Sequence, residues 1–191
     1  MDEQVEHRED SETTQSQSRG GLKIISWLRE IAESILPALA IVLVVNVFLA
    51  QATRVEGQSM EPNLHNNERL IIEKISYRLR EPQRGDVVVI KRPSSSEPLI
   101  KRVIGLPGDR VEVRDGKVYI NGHAYEEPYL DQETWGSYAL ETVPEEHVFL
   151  LGDNRRASND SRSFGVVPFD DIIGRAWLRY WPLEELGPIR F

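Results

Sequence analysis

Two residue types stand where they could do acyl chemistry together. Ser59 lies in Gly57-Gln58-Ser59-Met60-Glu61-Pro62, and Lys101 lies between Leu99-Ile100 and Arg102-Val103. A serine hydroxyl attacks a carbonyl only when a base removes its proton, and histidine is the usual base. The four histidines, His7, His65, His123 and His147, are scattered and have no supporting context. A neutral lysine serves the same purpose. At an unperturbed pKa of about 10.4 only about 0.4% of a lysine is neutral at pH 8, but burial depresses that value by several units. Lys101 sits where the pattern predicts a strand with one buried face, so an apolar pocket is the requirement. Taken alone, it also reads as a surface lysine paired with an acid.

A third polar stretch runs from Leu151-Gly152-Asp153-Asn154-Arg155 to Ser158, Asp160, Ser161 and Arg162. Alone it is a polar loop after a strand. Asp160 and Arg162 are two apart, so in an extended segment they face one side and can pair. Other chemistries have little support. There are no cysteines, which excludes disulfides and thiolate catalysis, and no H-E-x-x-H spacing, so no metal site is expected. A net charge of −8 without any K/R-rich run argues against sequence-independent nucleic-acid binding.

The elements that must position these groups follow from hydropathy. Residues 1–21 are acidic and polar, too poor in apolar side chains to offset the entropy of ordering, and are expected to be a disordered tail. Residues 22–33 form a lead-in with apolar positions at amphipathic-helix spacing. Between Glu33 and Arg54 no residue is charged, and twenty helical residues rise about 30 Å, the thickness of the hydrocarbon core. A transmembrane helix over 34–53 is therefore expected. A removable signal peptide is the rival, since Ala50-Gln51-Ala52 has the small-x-small form of a cleavage site; the long acidic region before it and the length of the apolar run favour a retained anchor. Arg19, Lys23 and Arg29 against Arg54 and Arg69 place the tail in the cytoplasm and translocate the rest. With seven residue steps from Ala52, Ser59 stays within roughly 25 Å of the end of that run.

Beyond the run the signals are those of strands. Leu70-Ile71-Ile72, Val87 to Ile90, Leu99-Ile100, Val148 to Leu151 and Ile172 to Trp181 are apolar or alternating segments, and Pro93 to Pro98 reads as a loop. Arg110 to Arg114 and Lys117 to Ile120 alternate and are followed by Asp115-Gly116 and Asn121-Gly122, dipeptides of two-residue hairpin turns. A hairpin-rich insertion over 108–147 is expected inside a mainly β, antiparallel domain spanning 54–191. Arg84-Gly85-Asp86 reads as an ordinary turn, and Asn159-Asp160-Ser161 as a chance sequon.

Three boxes now stand in order behind an apolar run: Ser59-Met60 with Pro62; Lys101-Arg102-Val103-Ile104-Gly105-Leu106-Pro107-Gly108-Asp109; and Gly152-Asp153-Asn154-Arg155 followed by Ser158, Asp160, Ser161 and Arg162. Together they resemble the motifs of type I signal peptidases, over nearly the whole chain beyond its tail. The resemblance implies a single membrane anchor followed by an extracytoplasmic catalytic β domain of signal-peptidase type, at the plasma membrane or an equivalent internal membrane. It implies a cofactor-free Ser/Lys endopeptidase that removes signal peptides from exported preproteins after A-x-A sites, with those preproteins and the lipid bilayer as partners. Ser59 would be the nucleophile and Lys101 the general base. Ser158 would hydrogen-bond the lysine amine, Asp160 and Arg162 would form a supporting ion pair, and Gly152, Asp153 and Asn154 would shape the strand and loop beneath. Val55, Met60, Leu64, Leu99 and Ile100 are the candidates for shallow substrate pockets. Some members carry a serine two residues before the nucleophile; here Gly57 stands there, so the oxyanion must rest on backbone N–H groups, chiefly that of Ser59. The alternative from another class is a membrane-tethered β domain that binds exported chains without cutting them.

Overall fold

The structure, a computed structural model, describes residues 27, 29–43, 49–92 and 95–189. The chain divides into two compact units, Met1–Asn46 and Val47–Phe191.

In the first unit residues 29–43 are helical (α1). Arg29 Nε donates to Glu33 Oε1 at 2.7 Å, an i,i+4 pair on the first turns. Ile35, Leu36, Leu39, Ile41, Val42 and Leu43 are all more than half exposed, on every side of the helix. No described helix is long and apolar enough to cross a membrane. The span expected over 34–53 is helical in its described part up to residue 43; residues 44–48, the tail and most of the lead-in lie outside the described residues. Its expected end is different. Ala50–Arg54 is a strand, β1, because the polar groups of Gln51, Thr53 and Arg54 end the apolar run and the backbone finds a partner strand.

The second unit is antiparallel β throughout. Its large sheet runs β1-β2-β11-β3-β4-β9-β10, with β12 (Gly187–Pro188) paired to β11. Here β2 is Arg69–Glu73, β3 Val87–Arg92, β4 Ser95–Gly105, β9 His147–Leu151, β10 Val167–Pro168 and β11 Ile172–Trp181. The continuous apolar run of β3 has a direct cause: Val87 and Val89 join one buried cluster, while Val88 and Ile90 join another on the opposite face. The segment expected as a loop before Leu99 belongs in its described part to β4, which pairs with β3 from Arg92↔Ser95 onward.

The small sheet, β7-β6-β5-β8, is the expected insertion. It comprises β5 (Arg110–Arg114), β6 (Lys117–Ile120), β7 (His123–Ala124) and β8 (Tyr138–Thr142). Asp115 and Gly116 have φ of 49° and 76°, and Asn121 and Gly122 have 54° and 86°, the positive angles that two-residue hairpin turns demand. Val111, Val113, Val118 and Ile120 bury against Ile104, Phe149 and Leu151 of the large sheet. The two sheets therefore share a core. The unit also has two one-turn α-helices, α2 (Ser76–Leu79) and α3 (Ser161–Phe164), and two short 3-10 turns, Phe169–Asp171 and Leu183–Glu185.

Candidate active site

Ser59 is delivered by the loop that follows β1. Val55 N–H donates to Glu68 O at 2.8 Å and Val55 O accepts from Asn67 N–H at 2.9 Å, which extends the β1–β2 pairing by one rung. Gly57 then turns the chain with φ 83°, its N–H held by Asn66 Oδ1 at 3.1 Å. Met60 buries in the core, and its carbonyl accepts from the N–H groups of Asn63 and Leu64 at 3.0 and 2.9 Å. The serine thus sits on a loop braced at both ends.

Lys101 comes from the middle of β4, opposite Val88 on β3. It is 2% exposed. Its Nζ lies 2.9 Å from Ser59 Oγ and donates to Ile100 O at 2.8 Å. Burial pushes its pKa down to about 8, against the opposing pull of the Asp160 and Asp153 carboxylates. Near pH 8 the amine is half neutral, with a lone pair available at hydrogen-bond distance from a serine hydroxyl.

The third stretch forms the floor. A Cβ on Gly152 would fall 2.2 Å from Ser158 Oγ and 2.5 Å from Ser59 O, so only glycine fits. Asn154 N–H donates to Ser59 O at 3.0 Å, and Asn154 Oδ1 accepts from Ala157 N–H at 3.1 Å. Asp160 accepts from Arg162 Nε and Nη2 at 2.8 Å each and from Gly152 N–H at 3.1 Å, and it caps α3 through Arg162 N–H. The ion pair is present. Its residues are not in an extended segment, however: Asp160 is an N-cap and Arg162 stands in the first turn. A bidentate arginine and two backbone donors spread the carboxylate's charge, which limits how far it stabilises a lysine cation.

Ser158 departs from expectation. Its Oγ is buried and has no hydrogen-bond partner among the described residues, so it does not bond the Lys101 amine, whose contacts are Ile100 O and Ser59 Oγ. Three of the five expected pocket residues are also placed otherwise. Val55, Met60 and Leu64 are 1–2% exposed and belong to the core cluster under the site. Leu99 and Ile100 do line a cavity of about 310 Å³, together with Thr53, Arg54, Glu56 and Ser59 from one wall and Glu97 and Lys101 from the other.

Several residues in and around the boxes make contacts that spacing did not suggest. Arg102 is buried and donates to Asp153 through Nε at 2.8 Å and Nη2 at 2.6 Å, to Gly85 O at 3.1 Å, and lies 4.1 Å over the Tyr129 ring. Asn63 Nδ2 bridges Asp153 and Tyr129 O at 2.9 and 3.0 Å. Arg155, 1% exposed, donates to Gly152 O at 3.1 Å and pairs with Glu127 and Thr134. These contacts tie residues 127–134, beside the small sheet, to the loop under Ser59; the signal in sequence was the placement of Arg102 next to Lys101 and of Arg155 two positions after Asp153. Away from this site, His65, Glu68 and Glu185 approach one another within 4.8 Å, but Arg179 pairs with both carboxylates, at 3.0 and 2.7 Å.

An antiparallel β domain that sets a serine hydroxyl against a buried, half-neutral lysine, at the end of an open cavity, has the site of a serine hydrolase. Comparison with known proteins narrows this. The family model described as signal peptidase, peptidase S26, matches residues 28–181. A probable signal peptidase I-2 of Synechocystis sp. is 42% identical over 168 residues, covering 85% of this chain and 77% of that protein. A signal peptidase I of Leptolyngbya laminosa is 41% identical over 182 residues, 91% of this chain and 88% of the relative. The thylakoidal processing peptidase 1 of Arabidopsis thaliana is 35% identical over 178 residues, 86% of this chain and 52% of that one. This chain belongs to the signal peptidase family, peptidase S26.

Proposed function

We propose that this signal peptidase removes N-terminal signal peptides from exported preproteins with Ser59 as its nucleophile and Lys101 as its general base. The observation that carries the assignment is the 2.9 Å approach of the buried Lys101 Nζ to Ser59 Oγ, which lines the open cavity. The neutral amine takes the hydroxyl proton as Oγ attacks the scissile carbonyl. The Ser59 N–H, which has no acceptor among the described residues, is placed to stabilise the oxyanion. The protonated amine then gives its proton to the leaving amine, and a water activated by the same lysine hydrolyses the ester.

Ser158 supplies the third contact of the amine. With Ile100 O and Ser59 Oγ as neighbours, the Lys101 amine has one N–H left without an acceptor, both when neutral with its lone pair on the serine hydroxyl and when protonated. The unpartnered Ser158 Oγ is the buried oxygen available for it. The substrate binds as an added strand. β4 is paired with β3 from Ser95 to Arg102 and takes β9 as a second neighbour only from Arg102↔Leu151, and β1 is the edge of its sheet. An extended peptide laid between Thr53–Ser59 and Glu97–Lys101 meets open backbone on both sides. Leu99, Ile100 and Val89 then offer shallow apolar walls suited to the small residues of an A-x-A site.

The apolar run is read as a retained anchor, with the tail cytoplasmic and the β unit extracytoplasmic; an apolar helix exposed on every side supports lipid contact. The test of the whole reading is cleavage of a detergent-solubilised preprotein with an A-x-A site. Wild type cuts after the second Ala, and Ser59→Ala and Lys101→Met each abolish cutting. A wild type that binds the preprotein and leaves it intact would instead establish a tethered binding domain.

A further inference from the structure

Residues 127–135 run between β7 and β8 without forming a helix or strand, and they touch the guanidinium groups of three arginines of the boxes. The Arg102 guanidinium lies 4.1 Å over the Tyr129 ring, Arg155 donates to Glu127 and Thr134, and Arg162 Nη1 donates to Trp135 O at 2.6 Å. Arg102 and Arg162 find carboxylates within the polar stretch itself, on Asp153 and Asp160. Arg155 pairs outside it, with Glu127, 28 positions earlier. At 1% exposure its cation depends on that partner, because a buried charge is tolerated only when paired.

Both carboxylate oxygens of Glu127 take part. Oε2 accepts from Arg155 Nη1 at 2.8 Å, and Oε1 accepts from Arg155 Nη2 and from Tyr129 OH, the latter at 2.7 Å. A guanidinium is planar and rigid, so a fork seated on two oxygens also sets the direction of its third nitrogen. That nitrogen, Nε, donates to Gly152 O at 3.1 Å. Gly152 is where the polar stretch meets the Ser59 loop: an added Cβ would lie 2.5 Å from Ser59 O, the carbonyl that Asn154 N–H also holds at 3.0 Å. The contacts that begin at Glu127 therefore end on Ser59, whose Oγ stands 2.9 Å from Lys101 Nζ. They bypass the groove, which is lined by residues of 53–59, Val89 and residues 97–101, and by none of 127–135 or 152–162.

We propose that Glu127 is a positioning residue for Ser59: it seats the Arg155 guanidinium so that Nε fixes the Gly152 backbone against the serine loop. The proposal rests on the peptidase reading and extends its machinery to a residue outside the three boxes. Releasing the clasp lets Ser59 drift from Lys101 while the groove keeps its walls. The chemical step then slows, by about tenfold to a hundredfold for displacements approaching an ångström, and substrate binding does not change.

The test is a double-mutant cycle of Glu127→Gln and Arg155→Met in the full-length chain in detergent, with a peptide bearing one A-x-A site as substrate. The readouts are kcat per folded enzyme, KM and thermal unfolding. Glu127→Gln keeps an acceptor for Tyr129 OH but loses the charged fork, and Arg155→Met keeps the side-chain length as far as Nε but loses every donor. Each single variant leaves a charge unpaired and should unfold at a lower temperature; the double variant removes both charges and should regain part of that loss. In all three variants kcat should fall by a similar factor, about tenfold or more, with KM within about twofold of wild type. Stability thus returns in the double variant and kcat does not. A kcat that recovers with stability would mean that the pair only compensates buried charge, and it overturns the proposal; so does a Glu127→Gln enzyme with wild-type kcat, a loss carried by KM, or losses that add in the double variant. If a single variant does not fold, the double variant, which carries no bare charge, decides by the same criterion. If wild type leaves the peptide uncut, or Ser59→Ala cuts it equally, it is the peptidase reading that fails.

Discussion

A side chain on Gly152 would strike the carbonyl oxygen of Ser59, at 2.5 Å from the added Cβ, and Ser158 Oγ at 2.2 Å. The loop that carries Ser59 rests directly on the backbone of the polar stretch, with no room for an intervening methyl group. Gly152→Ala must push Ser59 away from Lys101 or expel Ser158. It is expected to destabilise the unit by about 1–3 kcal/mol, the usual cost of overpacking. Cleavage should fall at least about a hundredfold, since ångström-scale misplacement of reacting groups costs that much. Thermal unfolding alongside kcat/KM separates the two effects; a variant as active as wild type would show that the contact does not position Ser59.

The activity should rise with pH. On the proposed mechanism only the neutral Lys101 amine accepts the serine proton, and with its pKa pushed down to about 8 the active fraction climbs through that pH and levels off above it. A pH profile of kcat/KM should show one acid limb near pH 8. A limb near 10 would mean that the lysine titrates as if exposed.

The same burial costs stability. The folded pKa lies below the unfolded value of about 10.4, so between about pH 8 and 10.4 the unfolded chain binds more protons and stability rises with pH. Below pH 8 the cation is buried in full. Lys101→Met is therefore expected to be inactive yet more stable than wild type at pH 6–7, by about 1–3 kcal/mol, with the gain shrinking towards pH 10. Denaturant midpoints at the two pH values check the sign.

Arg162→Ala leaves the Asp160 carboxylate with only its backbone donors. Its charge then acts more strongly on Lys101, which it already pulls upward, and the acid limb of the pH profile should move to higher pH by about half a unit to one unit. An unchanged limb would sink this account of the ion pair.

Ser158→Ala deletes a buried hydroxyl that has no partner. Stability should hold or improve slightly, because an unsatisfied buried polar group is a cost. Cleavage should drop about tenfold or more if the hydroxyl receives the protonated amine. Equal activity in the variant would remove Ser158 from the reaction.

Much of the site could be read before any folding was considered. Ser59 and Lys101 stand in boxes whose residue types leave few other uses, in a chain without cysteine and without a supported histidine. The Asp160–Arg162 pair followed from a spacing of two, though for a different local reason, since a one-turn helix with an aspartate cap also brings those side chains together. The hairpins over Asp115-Gly116 and Asn121-Gly122 were legible because positive φ is a local demand. The start of β1 was not, because the chain ends its apolar run with Ala50, and whether such a segment stays helical depends on whether a partner strand such as Arg69–Glu73 is within reach.

What the sequence determined by itself was therefore local: turn chemistry, strand periodicity, the apolar run, and the types and order of the reactive residues. The tertiary structure decided which residues are buried and which remain open. Val55, Met60 and Leu64 went into the core because β2, β3 and β11 converge on them, while Leu99 and Ile100 stayed at the groove because β9 begins to pair only beyond Lys101. It also joined Arg102 to Asp153 across 51 positions and Arg155 to Glu127 across 28. Burial and long-range charge pairing depend on every element that surrounds a residue, and the depressed pKa of Lys101 is the product of that surrounding rather than of its neighbours in the chain.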